Sequence, residues 1–328
     1  AIMLRLENST RRAAAGRGIS PLLWQLLSVC ILIPLVAGSA AAGLSGIPGI
    51  LADIGYGARP VAMGGAYVAL ADDANSIAWN SAGLINLQSK QATFMYANQM
   101  SLVPYYFAAY GQKFAGTQAH SEAIIYTGDE VLSETTVLLA YAYSARKLLS
   151  SPFDRLQAGL CLKLRRVSFG NNSDGGEERS QGSGSGFGLD LGAQWQVTDK
   201  FTFGLALYDL LNNVSYDNKE TGKYSEAAPT QLTIGVATRP SANVVVALDF
   251  KKSLYQDSED ALHFGVERTY LNFLALRAGF SQILGPEPPR NFSVGLGIKS
   301  FGGNFRLDLA YLFQELNNTP RLSTTVLF

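Results

Sequence analysis

From Gln91 to Phe328 the chain repeats one pattern that few folds tolerate. Large apolar residues take every second position, and Gly, amides or charges take the positions between. Phe187, Leu189, Leu191, Ala193, Trp195 and Val197 fall on one side of such a segment. Gly188, Asp190, Gly192, Gln194 and Gln196 fall on the other. Leu156, Ala158, Leu160, Leu162 and Leu164 alternate in the same way with Gln157, Gly159, Cys161, Lys163 and Arg165. So do Phe292, Val294, Leu296 and Ile298, and later Phe305, Leu307, Leu309 and Tyr311. Successive side chains of a strand point to opposite faces, so each segment reads as a strand with one apolar and one polar face. The spacing predicts about fourteen strands of roughly ten residues. They start near Gln91, Tyr105, Gln118, Glu134, Arg155, Ser185, Lys200, Thr230, Asn243, Ala261, Phe273, Asn291, Gly303 and Arg321.

The connections decide between a soluble sandwich and a membrane barrel. Lys113 to Thr117, Val197 to Lys200, Arg239 to Ala242 and Ser300 to Gly303 are tight. Gly170 to Gly184, Leu210 to Pro229, Lys252 to Asp260 and Gln282 to Arg290 are long. Short and long connections alternate, as they do in outer-membrane barrels with short periplasmic turns and longer extracellular loops. Arg146 to Asp154 breaks the rule, being long where a turn is expected. The polar faces carry charges of both signs, which lipid would penalise, so those faces are expected to line a lumen.

The first 42 residues have a different character. Arg11, Arg12 and Arg17 precede an apolar run from Pro21 to Ala37, and Ala40-Ala41-Ala42 follows. This is the layout of a cleaved export signal, with cleavage expected before Gly43. A membrane-spanning helix is the alternative, but the run is marginal for the roughly 20 residues required and no basic cluster follows it. Removal of 1–42 takes Cys30 and leaves Cys161 as the one cysteine of the two, so no intrachain disulfide is expected. The chain has 26 basic and 26 acidic residues, which gives no electrostatic reason to expect a nucleic-acid partner.

Between the leader and the strands, residues 43–90 lack the alternating pattern. Gly64-Gly65 breaks any regular element there. Ala66 to Ala78 has the composition of a short helix, with Asp72, Asp73 and Asn75 placed to cap local turns. Asn80-Ser81-Ala82-Gly83 reads as a turn leading to the first strand. Gly57-Ala58-Arg59, then Met63 to Ala74, then Trp79-Asn80 and Ala82-Gly83-Leu84 resemble, position by position, the N-terminal plug of FadL-type outer-membrane barrels. The likeness is nearest to the PorV/PorQ branch, although Ser81 stands where that branch has proline. Leu274 to Phe280 and Phe305 to Tyr311 resemble its late strands, and the terminal Phe328 resembles a barrel-assembly signal. The resemblance implies a closed barrel of fourteen strands, 91–328, around a small plug, 43–90, in the outer membrane of a Gram-negative-type bacterium. It also implies passage of hydrophobic molecules past the plug and out through the wall or, for the PorV/PorQ branch, an accessory role in type IX protein secretion.

The candidate functional residues follow from these faces. Arg59, Asp72, Asp73 and Asn80 are expected to anchor or gate the plug, with Arg59 paired to Asp190 or Asp308. Lys163, Arg165, Asp190, Asp249, Arg277, Arg306 and Asp308 are expected to line the lumen, with Lys251, Glu267, His263 and Lys299 beside them. Aromatics at the long-loop end, among them Tyr105, Tyr106, Tyr216, Tyr224 and Tyr255, are expected to form an interface girdle. An enzyme is not expected. His120 and His263 are the only histidines, and neighbours on a strand such as His120 and Ser121 face opposite ways. No metal-ligand spacing occurs and no cofactor is implied. Gly182, Gly184, Gly186 and Gly188 are not followed by the helix a phosphate loop needs. The expected function is passive transport of hydrophobic, fatty-acid-like molecules, with the secretion accessory as the alternative. The expected partners are membrane lipid and either such molecules or secretion proteins.

Overall fold

A computed structural model of the protein describes residues 54–99, 101–129, 132–169, 182–218, 222–254, 259–285, 289–300, 302–314 and 318–328. The expected leader, 1–42, and the first part of the expected plug, 43–53, lie outside the described residues. Among the described residues are fifteen strands. The first seven are β1 (Gln91–Gln99), β2 (Val103–Phe114), β3 (Gln118–Gly128), β4 (Leu132–Ser144), β5 (Leu156–Phe169), β6 (Gly182–Gln196) and β7 (Phe201–Asn218). A short β8 (Gly222–Glu226) is followed by β9 (Gln231–Ser241), β10 (Val244–Ser253), β11 (Asp260–Tyr270) and β12 (Leu274–Leu284). The last three are β13 (Arg290–Lys299), β14 (Phe305–Phe313) and β15 (Thr319–Leu327).

Neighbours in sequence pair antiparallel, with one exception. β7 pairs with both β6 and β9, and β8 pairs only with the far end of β7. The ring closes where β1 meets β15, from Gln91 opposite Leu327 to Ala97 opposite Arg321. Fourteen strands therefore form a closed barrel, which leaves no strand edge of the ring unpaired. Phe328 donates its backbone N–H to the carbonyl of Lys90, so the two ends of the barrel chain meet beside the short turns.

The faces segregate as the alternation requires. Phe94, Ile124, Phe187, Phe203, Ile234 and Phe292 stand exposed on the outer wall, each between 45% and 55% exposed. A water-soluble protein does not surround itself with such a band; a lipid-facing barrel does. The inner wall is built of Ala, Gly, Ser, Thr and the charged residues.

Two regions differ from expectation. Residues 210–229 were expected as a loop, but β7 continues through them to Asn218 and β8 returns beside it. Val214 pairs with Gly186 of β6 on one side and Glu226 of β8 on the other, and this pairing overrides the turn-forming Asn212-Asn213 and Asp217-Asn218. Asp209, at φ 52, marks where β7 leaves β9. The long turn between β4 and β5 is also ordered. It contains two 3-10 turns, Ala145–Lys147 and Phe153–Arg155. Phe153 stacks on Trp195 with ring centroids 5.2 Å apart, Trp195 Nε1 donates to the Pro152 carbonyl at 2.9 Å, and Arg155 pairs with Asp199 at 2.6 Å. Its length serves to fold back along the outer wall.

Candidate functional site

The segment from Ile54 to Lys90 lies against the inner wall. Its regular elements are short: α1 (Ala58–Ala62), α2 (Ser76–Trp79) and a 3-10 helix over Ser81–Asn86. The helix expected over Ala66 to Ala78 forms only at its end, in α2, because amides of Asn80 and Gln194 take the Val68 and Ala71 carbonyls such a helix would use. Tyr67 and Val68 donate their N–H groups to one oxygen of Asp249 on β10, at 2.7 and 2.8 Å. Asp73 instead caps a local turn, accepting from the Asn75 N–H at 3.0 Å.

Glycines of the wall mark the path of this segment. A side chain on Gly204 of β7 would strike the backbone of Val68 and Ala69. On Gly265 of β11 it would strike Met63, on Gly279 of β12 Gly64, and on Gly295 of β13 Ala62. On Gly159 of β5 and Gly192 of β6 it would strike Ser81-Ala82 and Asn80. The alternation that reads in sequence as small inner residues thus lets one backbone lie directly on another. Gly64 and Gly65 themselves hold φ 67 and 82, which lets the segment reverse direction against the wall.

Charge fixes the other side. Arg59 Nε lies 2.9 Å from Glu267 of β11, and the same carboxylate oxygen lies 2.6 Å from Nε of Arg277 on β12. Arg277 meets Asp308 of β14 at 2.7 Å, Asp308 meets Arg306 at 2.7 Å, and Arg306 meets Asp73 at 2.8 Å. Asp73 closes a ring by returning to Arg59 at 3.1 Å. Burial alone would push the Asp73 carboxyl up, but Arg306 and Arg59 hold it down at about 2. Asp72 hangs from the ring, 2.6 Å from Arg59 and 3.4 Å from Arg239. The Tyr67 hydroxyl accepts from Arg59 at 3.0 Å.

Amides and a histidine complete the contact. Asn80 Nδ2 donates to the carbonyls of Val68 and Ala193, at 2.8 and 3.0 Å. Gln194 donates to the Val68 and Ala71 carbonyls at 3.0 and 3.1 Å. His263 Nδ1 donates to the Gly64 carbonyl at 2.8 Å.

On the long-loop side of the segment lies a cavity of about 400 Å³. Ile54, Tyr56, Val61, Val68, Ala78 and Trp79 of the segment contribute to its lining, opposite inward-facing residues of the strands. Lys163 and Arg165 also line it, but neither is a bare charge. Lys163 meets Asp190 at 2.8 Å and Asp209 at 3.3 Å, and Arg165 meets Asp209 at 2.6 Å.

Comparison with known proteins places this geometry. Residues 158–278 match a family described only as one of unknown function, DUF5723. No curated protein matches the chain. Among solved structures it is similar to the deltaS2S3 mutant of the TodX monoaromatic hydrocarbon channel, at 14% identity and a TM-score of 0.61, over 84% of this chain and 99% of that one. It is similar to the toluene transporter TbuX of Ralstonia pickettii at 15% identity and a TM-score of 0.56, over 83% and 97%. A FadL homologue of Pseudomonas aeruginosa gives 10% identity and a TM-score of 0.59, over 80% and 96%. The chain has a FadL-type barrel fold. None of these matches singles out the PorV/PorQ branch.

Within this FadL-type barrel the expected site residues fall into two groups. Arg59, Asp72, Asp73, Arg277, Arg306 and Asp308 meet in and around the ring, toward the short-turn ends of the strands. Lys163, Arg165 and Asp190 meet on the cavity side. Arg59 pairs with neither Asp190 nor Asp308: Asp190 belongs to the cavity-side group, and Asp308 is taken by Arg277 and Arg306. Asp249 and Asn80 hold backbone groups rather than charges. Sequence reasoning passed over Asp209, which stands just before the presumed loop 210–229, and Gln194 and Ser323, whose inward parity was the available signal. Ser323 Oγ accepts from the Ala58 N–H at 2.8 Å. Of the expected girdle, Tyr106 faces outward. Tyr105 and Tyr216 are buried, and Tyr216 stacks on Tyr224 at 4.9 Å. Tyr255 lies outside the described residues.

Proposed function

We propose that this chain is a passive outer-membrane channel for hydrophobic small molecules, in which residues 43–90 form a plug. The carrying observation is the cavity set directly on the plug segment, with Ile54, Val61, Val68 and Trp79 offering apolar surface to whatever enters from the loop side. The TodX and TbuX structures, described as a hydrocarbon channel and a toluene transporter, share the fold that carries it. Arg59, Asp72, Asp73 and Asn80 anchor the plug, and Lys163, Arg165, Asp190 and Asp249 line the lumen above and beside it. Export by the leader 1–42 places the barrel in the outer membrane of a Gram-negative-type bacterium. No enzyme chemistry and no cofactor enter this reading. The secretion-accessory alternative gains no support from the structures compared above. Uptake of 1-decanoylglycerol by lipid vesicles carrying the purified barrel, measured against empty vesicles, tests the channel. Saturable uptake through the barrel is expected, and uptake equal to that of empty vesicles overturns the proposal.

A further inference from the structure

The cavity is lined by apolar and hydrogen-bonding groups together. Its floor, on the plug segment, is largely apolar. Trp79 spends its indole N–H on the Tyr56 carbonyl at 2.7 Å, so the ring offers mainly its faces. The wall is different. Gln99, Thr136, Gln231, Thr233, Ser281 and Asn291, from five strands, line it beside Ile125, Leu138, Ile283 and Leu312. The first six are uncharged groups that both donate and accept hydrogen bonds, hydroxyl and amide alike. A pure hydrocarbon filling the cavity would strip water from them and return nothing, at about 1–3 kcal/mol for each buried group left unmatched. An organic anion fares no better. Of the lining basic groups, Lys163 and Arg165 already share Asp190 and Asp209 at 2.6–3.3 Å, His263 gives its Nδ1 proton to the Gly64 carbonyl, and Lys251 is engaged as well. Arg321 is held by the Gly55 carbonyl at 2.5 Å, and Glu259 adds a negative charge to the rim.

We infer that the cavity selects uncharged amphipathic molecules, which lay an apolar part on the Trp79 floor and turn hydroxyl or amide groups toward the Gln231–Asn291 wall. The inference rests on the channel reading for its biological use, and it narrows the substrate class from hydrophobic compounds in general to neutral, hydrogen-bonding amphiphiles.

The test uses the full barrel in lipid nanodiscs with Trp195→Phe. This removes the tryptophan on the outer wall and leaves Trp79 as the reporter, the third tryptophan being Trp24 of the expected leader. Three probes of one chain length are titrated at pH 8: 1-decanoylglycerol, decanoate and decane. Saturable binding of decanoylglycerol, about tenfold tighter than either other probe, is expected; that ratio corresponds to one to two matched hydrogen bonds. Gln231→Leu combined with Asn291→Leu should reduce the preference to about threefold or less, by weakening decanoylglycerol and tightening decane, which no longer desolvates two amides. Gel migration before and after heating establishes that the double variant is a folded barrel. Decanoate or decane binding as tightly as decanoylglycerol overturns the inference, as does an unchanged preference in the double variant or binding of no probe. Vesicle uptake separates the two readings. Selective binding without uptake keeps the ligand class and removes the channel. Equal uptake of all three probes keeps the channel and removes the selectivity.

Discussion

Residues 54–90 meet two unlike walls. Toward β11, β12 and β14 they are held by ionised groups that satisfy one another in a ring, with Gly265 and Gly279 as points of close approach. Toward β5, β6 and β7 glycine again lies against the segment, but the polar ties are the uncharged amides of Asn80 and Gln194. One wall adds charge to close approach and the other adds only amides. The charged wall can be weakened by removing one charge. The uncharged wall is weakened most by adding bulk at its glycines. A movable plug would be expected to part first from the charged wall, where separation exposes groups that water solvates well.

Substitutions can break this contrast. Glu267→Leu should have the largest effect, because it leaves Arg59 and Arg277 buried beside one another, at about 3–5 kcal/mol. Protease cleavage within 54–90 and a higher single-channel conductance would report the released segment; a conductance unchanged from the parent would show that the ring is dispensable. Gly204→Leu comes next, since the new side chain must displace the Val68 and Ala69 backbone, at about 1–3 kcal/mol or more. Gly302→Leu, where open space surrounds the position, should leave cleavage and conductance as they were. If the two glycine variants behave alike, close approach is not what seats the segment. Asp249→Asn keeps one acceptor oxygen for Tyr67 and Val68 but loses its charge, so about 1 kcal/mol is expected, read as a modest gain in Trp79 mobility by fluorescence anisotropy. Mild acid should do least. The Asp73 carboxyl is depressed in the folded state, so its contribution is present above the ordinary carboxylate range and is lost only as pH falls through about 2. In the Asp249→Asn background, which leaves the ring as the charged tie, conductance at pH 4 should therefore match that at pH 7, and an opening near pH 4 would contradict the ring.

The barrel was legible in the sequence because lipid imposes a strict rule. Every second residue must be apolar where a strand faces hydrocarbon, and expected strand starts fall within three residues of those observed. Residues 54–90 were legible as a break in that rule, and their likeness to a known family pointed to a segment inside the ring. What sequence did not reveal was partnership. Arg59, Glu267 and Arg277 come from distant parts of the chain, and their meeting is set by strand order and register. Asp209 and β8 were hidden for a related reason. Asn and Asp favour turns in isolation, but β6 offered a long edge and extended the strand through them. The misplaced helix at Ala66 to Ala78 teaches the same lesson in reverse, since a composition suited to helix gave its Val68 and Ala71 carbonyls to side-chain amides, one of them Gln194 from a distant part of the chain.

The six ring charges can also be divided by ownership. The plug segment supplies Arg59 and Asp73, and the barrel supplies Glu267, Arg277, Asp308 and Arg306. Each share is neutral by itself. Were the two shares to separate, the barrel would keep an unbroken run of three ion pairs and the segment its own pair. Withdrawal along the lumen would carry no net ring charge through the membrane field, so a transmembrane voltage would do no work on these six groups. Through its ring such a segment answers to contact, from a ligand on one side or a protein on the other, and Asp72, hanging outside the ring, is the charge of residues 54–80 left for a potential to act on.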